Sequence, residues 1–343
     1  MSNQRITIYD IAKELGISAS YISKALNGKP GVSKQVRELV LQTAAKMNYK
    51  NNIYAANLRH GHSRTIGVII PHINQSFFSD AIAGIELACS ENNHNLIICQ
   101  SHDLSELEAR AIESLIRYNV DCILISVSAE TESPALLEQI ISHNIRLIQF
   151  DRVIESVDSY KVLNDNREIS YNAAVCLIKE KFSKIAFIGG PPAVNVFRDR
   201  KEGYLKAMKD FSLNVPPNFI VEGRLGKEKA CETAIQLLSL SDPPDAFFTV
   251  SDHQALGVAM ALKKLNIDKN KVGLFGFANE SFGELLSPSL SSVDQKSTAM
   301  GYEAAMLYFS EMLNGKELVK ASKTKIIESE LVIRESSKRM HQA

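Results

Sequence analysis

Residues 7–58 constrain the fold of this 343-residue chain more than any other stretch, because they carry several helix-boundary signals within a short length. Thr7 precedes an apolar stripe of helical period, and Asp10 follows it at the spacing of a capping box. Gly16 then interrupts the pattern. These signals predict a first short helix between Thr7 and Gly16.

Two more helices are predicted to follow directly. Ser18 can cap the second, which stops at the Asn27–Gly28 pair, and Ser33 begins a third that extends to Met47. Two helices joined by a turn of about three or four residues, with a third behind them, form a helix-turn-helix, whose second helix enters the major groove of DNA. The spacing alone is equally compatible with another small helical bundle.

The distribution of charge favours the DNA-binding alternative. Residues 1–64 hold ten Lys or Arg and three Asp or Glu, a net charge of +7. The whole chain has a net charge of zero, so residues 65–343 carry −7. A basic N-terminal segment on an acidic body is typical of one nucleic-acid-binding domain joined to a larger module.

The same stretch resembles the head and hinge of the lactose-repressor/galactose-repressor family of bacterial transcription regulators. The matching residues are Ile8-Tyr9-Asp10-Ile11-Ala12, Gly16-Ile17-Ser18, Ile22-Ser23-Lys24-Ala25-Leu26-Asn27-Gly28, Val32-Ser33, Leu39 and Asn48-Tyr49. The resemblance implies three domains. They are a helix-turn-helix head (1–50), a hinge helix (51–63) and a ligand-binding and dimerisation core (64–343).

By this resemblance, the DNA contacts come from the start of the first helix, the second helix and the hinge. The expected residues are Thr7, Ile8, Ser18, Ala19, Ser20, Tyr21, Ser23, Lys24, Asn27, Ala55, Leu58 and Arg59. Base readers fall at Ala19, Ser20 and Lys24. Lys24 replaces a common arginine of the family, and it donates as a point charge rather than as a bidentate fork. The alternative for Ser20 and Lys24 is ordinary solvated surface.

The expected hinge has one apolar residue of note, Leu58, among Asn57, Arg59 and His60. We expect Leu58 to enter a minor-groove base step and kink the DNA, although a leucine packed on the next domain would give the same pattern. A helix this short is not stable alone in water, so we expect it to form only on DNA.

From Thr65 onwards, short continuous apolar runs alternate with helical stretches, which predicts parallel sheets covered by helices on both faces. The predicted strands are Ile66–Ile70, Leu96–Cys99, Cys122–Ile125, Leu147–Phe150, Ile185–Ile188, Ala246–Val250 and Val272–Phe275. A break near Val162–Asn164 indicates two doubly wound α/β subdomains. This half of the chain resembles the periplasmic sugar-binding proteins. The resemblance implies three crossings near 162, 290 and 321, with 64–161 and 292–321 in a first subdomain and 162–291 and 322–340 in a second.

A doubly wound sheet binds its ligand beyond the carboxyl ends of its strands, and aromatic, acidic and basic residues follow several predicted strands. The residues expected to bind an effector are Phe77, Phe78, Asp151, Arg152, Arg200, Ser251, Asp252, Asn279 and Gln295. Aromatic faces with Asp and Arg side chains are typical of a carbohydrate site. Each residue has an alternative: Phe77 and Phe78 as core, Asp252 as a helix cap, and Asp151 with Arg152 as a structural pair.

Composition excludes several other functions. The chain has no run of eighteen apolar residues, no signal peptide and five scattered cysteines, so we expect reduced thiols and a cytoplasmic location away from membranes. It has no dinucleotide-binding glycine motif, no nucleophile elbow and no His/Cys cluster, so we expect neither catalysis nor a cofactor or metal. Nine residues follow Arg334 without a heptad, which predicts a dimer rather than a tetramer.

These patterns predict a homodimeric transcription regulator, a repressor, that binds pseudo-palindromic operator DNA. Its affinity for DNA is expected to respond to a small sugar or sugar derivative between the two subdomains. The alternative is a sugar-binding protein without a DNA-binding role.

Overall fold

The structure, a computed structural model, describes residues 6–49, 62–224, 226–313 and 323–339. The chain divides into two compact units between Ser63 and Arg64. The first unit is called the head below, and the second is called the core.

The head is built from three helices, as predicted. They are α1 (Ile8–Leu15), α2 (Ala19–Leu26) and α3 (Lys34–Lys46). The Asp10 carboxylate accepts hydrogen bonds from the backbone N–H and the hydroxyl of Thr7, both at 2.7 Å, which fixes the start of α1. Gly16 ends α1 in the left-handed region, at φ 63°, where a residue without Cβ is favoured.

Side-chain caps start the other two helices of the head. Ser18 Oγ accepts from the Tyr21 N–H, and Ser33 Oγ accepts from the Val36 N–H, both at 3.3 Å. The helices enclose a small core of fully buried apolar side chains, contributed by Ile11, Ile22, Ala25, Val40 and Ala44.

The core contains twelve short strands and eight helices in its described part. The strands are β1 (Thr65–Ile70), β2 (Asn95–Gln100), β3 (Cys122–Ile125), β4 (Arg146–Phe150), β5 (Tyr160–Asn164), β6 (Ile185–Ile188), β7 (Ile220–Val221), β8 (Ala246–Thr249), β9 (Gly273–Phe275), β10 (Ser292–Asp294), β11 (Thr324–Ile327) and β12 (Glu330–Val332). The helices are α4 (Ser76–Glu91), α5 (Ser105–Arg117), α6 (Ala135–Ser142), α7 (Asn166–Lys179), α8 (Asn195–Asp210), α9 (Lys227–Leu238), α10 (Asp252–Lys264) and α11 (Ser297–Leu307).

These strands form two parallel sheets, which define two subdomains. The first sheet has six strands in the order β11-β5-β4-β3-β1-β2, and the second has four in the order β7-β6-β8-β9. All strand pairs within the two sheets are parallel. An antiparallel pair, β10 with β12, accompanies them. The predicted class of two doubly wound α/β subdomains is therefore confirmed.

Helices cover both faces of each sheet, which explains why the central strands are continuous apolar runs. Neighbouring strand residues point to opposite faces, so Val68 packs with α4 and α11, whereas Ile69 packs with α5 and α6. In the second sheet, Phe187 packs with α7 and α8, whereas Ile188 packs with α9 and α10. If polar residues alternated with apolar residues along these strands, one of the two sheet–helix interfaces would contain polar groups.

The chain passes between the subdomains three times, and one side chain joins the three crossing segments. Asn164, at the end of β5, donates from Nδ2 to the carbonyl of Gln295 at 3.0 Å and to the carbonyl of Ile327 at 2.8 Å. Gln295 Nε2 donates in return to Asn164 Oδ1 at 3.3 Å. Since Asn164 is 5% exposed, these bonds are shielded from water.

Two predicted boundaries need correction. All of β5 belongs to the first sheet, so the first crossing follows Asn164 rather than residue 161. β11 pairs with β5, so residues 324–327 belong to the first subdomain, although the range 322–340 was assigned to the second. β12 does not continue β11 in the first sheet but pairs with β10.

None of the helices in the described ranges has the length and apolar character needed to cross a membrane. The five cysteines are all free, and Cys89, Cys122 and Cys231 are buried.

Candidate functional site

The head exposes one polar face on α2. Ser20, Lys24 and Asn27 are exposed, while Ile22 and Ala25 on the opposite side are fully buried. A helix of eight residues with a free polar face on a fixed support has the shape of a major-groove reader.

Not all predicted DNA contacts on the head are equally free. Ser18 Oγ caps α2 and also lies 3.1 Å from Ser20 Oγ. Thr7 is engaged with Asp10, and Asn27 Nδ2 donates to the Ser23 carbonyl at 2.8 Å. The remaining predicted contacts on the described head, Ile8, Ala19, Tyr21 and Ser23, are partly exposed. The hinge predictions at Ala55, Leu58 and Arg59 lie outside the described residues.

In the core, a cleft of about 730 Å³ lies between the two subdomains. All of the predicted effector residues line it except Asn279. They come from α8 and from the segments that follow β1, β4, β8 and β10. The cleft therefore lies beyond the carboxyl ends of the strands, where parallel α/β sheets bind their ligands.

Arg200 is a buried basic residue of the cleft, with 4% of its surface exposed. Its Nε donates to Asn166 Oδ1 at 2.8 Å, and its Nη1 donates to the Val250 carbonyl at 2.9 Å. The guanidinium lies 3.7 Å from the ring centroid of Phe277, and burial lowers the pKa of Arg200 to about 10. Within the described residues it forms no ion pair, so its remaining donors are available to a ligand.

Arg152, in contrast, has a carboxylate partner that the sequence analysis did not identify. Its Nη1 lies 2.6 Å from Asp103 Oδ1, and His72 Nε2 lies 3.3 Å from Asp103 Oδ2. Burial alone would raise the pKa of Asp103, but Arg152 and its other partners outweigh burial and lower it. The alternative of Asp151 with Arg152 as a structural pair therefore holds in part, because Arg152 Nε lies 4.0 Å from Asp151 Oδ2, but the closer partner of Arg152 is Asp103.

Asp151 lies deeper in the cleft, in the left-handed region at φ 59°. Its Oδ2 is 4.0 Å from Arg152 Nε and accepts from Ser126 Oγ at 3.4 Å. Burial raises the pKa of this carboxyl. Asp151 can therefore accept a hydrogen bond from a ligand hydroxyl, or donate one when it is protonated.

Asp252 does not cap the helix that follows β8, because Ser251 does so by accepting from the Gln254 N–H at 3.2 Å. The Asp252 carboxylate instead accepts from Ser292 Oγ and from the Glu280 N–H, both at 2.7 Å. Burial, together with the charge of Glu280, raises the pKa of Asp252 to about 6.

The two predicted phenylalanines differ in burial. Phe78 is 2% exposed and belongs to the main apolar cluster of the first subdomain, as the alternative interpretation proposed, yet its ring also borders the cleft. Phe77 is partly buried and packs edge-on against Phe78, with ring centroids 5.1 Å apart. Phe77 therefore offers the more accessible aromatic surface.

Asn279 is the one effector prediction that the structure contradicts. Ala278 and Asn279 both have positive φ, at 111° and 52°, and Ala278 lines the cleft whereas Asn279 does not. Its Oδ1 accepts from Arg334 Nη2 at 3.0 Å, and Asn279 lines a separate surface groove beside α4 and α11.

Several lining residues were missed by the sequence analysis: His72, Asp103, Phe197, Arg224, Phe277 and Glu280. Asp103 and Phe277 follow β2 and β9, so the same strand-end rule could have found them. Arg224 follows β7, which has only two residues and is too short to be recognised as a strand from its apolar pattern. Glu280 follows no strand directly, and no pattern in the sequence marks it.

Comparisons with known proteins match the head and the core separately. The model for bacterial regulatory proteins of the lacI family matches residues 7–52, and the model for the periplasmic binding protein domain matches residues 66–317. Catabolite control protein A of Priestia megaterium is 28% identical over 319 residues, covering 92% of this chain and 95% of that protein. The ribose operon repressor of Haemophilus influenzae is 28% identical over 332 residues, covering 96% and 98%.

A solved structure of the lac repressor dimer, bound to operator and the anti-inducer ONPF, superposes with a TM-score of 0.85 at 18% identity. It covers 98% of this chain and 100% of its own, which supports the same fold. The fold and sites thus define a DNA-binding transcription regulator with a ligand-binding core. The chain belongs to the lacI family of bacterial regulatory proteins. The relatives are named as regulators, in agreement with the expectation that this chain is not an enzyme.

Proposed function

We propose that this protein is a cytoplasmic, homodimeric repressor that binds a pseudo-palindromic operator through α2 of each head. A small sugar or sugar derivative in the cleft would set its affinity for the operator. The observation that carries the proposal is the cleft, where a buried arginine, Arg200, forms no ion pair with any described residue and lies beside aromatic and acidic side chains.

The cleft chemistry suits a polyhydroxylated ring. Phe77 can contact the apolar face of a sugar, Arg200 can donate to two neighbouring oxygens, and Asp151 can accept from a hydroxyl. The relative from Haemophilus influenzae is named as a ribose operon repressor, which supports a carbohydrate as the ligand class.

The crossing segments provide the mechanism of control. Two rigid subdomains joined by three short connections can rotate against one another, and Asn164 ties those connections at a single point. A ligand that contacts both subdomains then shifts the equilibrium between two relative orientations.

The DNA-binding part of the proposal is tested by selecting bound sequences from random DNA. We expect a pseudo-palindrome, and we expect the affinity for it to fall steeply with salt, by about 0.9 in log–log slope for each neutralised phosphate. Candidate sugars are then added to the complex, and the operator affinity is measured again.

The outcomes separate the proposal from its alternative. A protein that binds sugar but selects no DNA sequence is a sugar-binding protein without a regulatory role. Selection of a single half-site by a monomer would contradict the dimer.

A further inference from the structure

Helix α4 of the first subdomain has no side-chain cap of its own. Its N-cap residue, Gln75, makes no capping hydrogen bond, and its first turn holds no acidic residue. The first N–H groups of a helix lack partners within the helix, and its N-terminus carries a partial positive charge. The start of α4 therefore favours an acceptor from elsewhere.

Glu280 of the second subdomain places its carboxylate at this N-terminus and contacts the helix through a side-chain hydroxyl. Its Oε2 accepts a hydrogen bond from the hydroxyl of Ser76, the first residue of α4, across the cleft. Glu280 is 7% exposed, so this contact is shielded from water. We call the contact between Ser76 and Glu280 the cross-cleft cap.

Within its own subdomain, Glu280 lies among groups of both signs. Its backbone N–H donates to Asp252 Oδ2 at 2.7 Å, and its Oε1 is 3.8 Å from His253 Nε2. The nearby Asp252 carboxylate repels the charge of Glu280. The helix N-terminus and the Ser76 hydroxyl offset this repulsion only while the subdomains lie together.

The body of α4 is fixed against α11. The backbones approach so closely that a Cβ added to Gly84 would lie 2.0 Å from the Thr298 carbonyl oxygen, and one added to Gly301 would lie 1.9 Å from the Ala81 carbonyl oxygen. A change at the start of α4 therefore cannot be absorbed by sliding the helix. It must appear in its first turn, which also presents Phe77 to the cleft.

We propose that Glu280 couples closure of the cleft to the order of the first turn of α4, by capping this helix from the opposite subdomain. The role of this coupling in ligand response rests on the proposed function. The cap itself does not, because it joins two parts of the same chain.

Hydrogen–deuterium exchange of the full-length protein, without DNA or ligand, tests the cap. The amides of Phe78 and Ser79, which donate to the Gln75 carbonyl, report on the first turn. We expect Glu280→Ala to accelerate their exchange about twofold to thirtyfold, the range given by loss of a helix cap or of a charge at a helix N-terminus. Glu280→Gln keeps an acceptor but loses the charge, and it should give an intermediate effect.

Ser76→Ala should accelerate the same amides, and adding Glu280→Ala to it should have less effect than Glu280→Ala alone, since the two residues act through one contact. Arg198→Ala is the matched control, because it removes another contact between the subdomains, the ion pair with Glu155. Thermal unfolding verifies that each variant remains folded.

Two results would overturn the cap. One is unchanged exchange at Phe78 and Ser79 in Glu280→Ala, and the other is an equal acceleration in Arg198→Ala, which would make α4 sensitive to any loosening of the cleft. Neither result bears on operator selection. Failure of operator selection likewise leaves the exchange result intact.

Discussion

The exposed face of α2, proposed to read DNA, and the cleft proposed to bind an effector are assembled in different ways. The face of α2 comes from residues 18–27, which are neighbours in the chain and are fixed by a cap at Ser18 and a small core beneath. The cleft joins side chains from Phe77 to Gln295, which meet only when two sheets and three crossings are in place. The function of the α2 face should therefore tolerate substitutions in the rest of the protein. The function of the cleft should depend on residues that hold the two sheets and the crossing segments in place.

The largest effect on ligand affinity is expected from substitution of Arg200, whose charge is buried in the cleft. Arg200→Ala should weaken binding of the cognate ligand by about 2–5 kcal/mol, because the ligand oxygens lose a desolvated donor. Operator affinity without ligand should persist. The measurement is operator affinity with and without ligand, for parent and variant.

Lys206→Ala provides the control for Arg200, since Lys206 lies on the same helix but forms an exposed ion pair with Asp210 within that helix. It should respond to ligand as the parent does. If Arg200→Ala responds at the parent's ligand concentration, the assignment of the cleft fails, and Phe77 and Asp151 lose their support as well.

A smaller effect is expected at Asn164, which supports the cleft without being one of the predicted ligand contacts. Asn164→Ala removes two donors from buried carbonyl groups and should lower the free energy of unfolding of the core by about 2–3 kcal/mol. The neighbouring Asp165 caps α7 locally through the Glu168 N–H, and Asp165→Ala should cost about 1 kcal/mol. Urea unfolding of both variants compares them, and equal losses would refute a special role for Asn164.

On the head, Lys24→Ala should weaken operator binding by about 1–3 kcal/mol and relax the preference at one base position. The ligand response should be unaffected. Lys46→Ala removes the same charge from the end of α3 and serves as the control. A uniform loss of affinity on all sequences in both variants would show that Lys24 acts through charge alone.

The smallest effect is expected for Ser18, where local structure and DNA contact coincide. Ser18→Ala should destabilise the head by about 1 kcal/mol through loss of the α2 cap. Ser20→Ala lies on the exposed face and should change stability by less than about 0.5 kcal/mol. Thermal unfolding of the head distinguishes the two, and a reversed order would mean that the cap does not stabilise α2.

Features formed by near neighbours in the chain were predicted from the sequence more completely than features formed by distant residues. The caps at Thr7, Ser18 and Ser33 lie within three residues of the amide or carboxylate they engage, so their spacing in the sequence predicts the contact. The fully buried strands were found because covering a parallel sheet on both faces requires a continuous apolar run. The strands β5, β7 and β11 have no run of consecutive buried residues, and they were missed or misassigned.

The candidate cleft was predicted to the extent that strand ends mark it. Asp151 and Asp252 follow strands and were found, while Glu280 belongs to a turn and was not. Asn279 was assigned to the cleft because it follows a predicted strand, but it lies in a turn where both Ala278 and Asn279 have positive φ. Side-chain direction at such a turn depends on two dihedral angles that residue type alone does not fix.

The sequence by itself determined the three helices of the head, the exposed face of α2, the two parallel sheets and the general position of the cleft. Each of these follows from contacts between near neighbours or from the periodic burial of a strand. Only the tertiary structure decided that Arg152 pairs with Asp103, that Asn164 ties three crossings, and that Glu280 reaches Ser76. These contacts join residues separated by 49 to 204 positions, and no periodic pattern in the chain encodes which distant side chains meet.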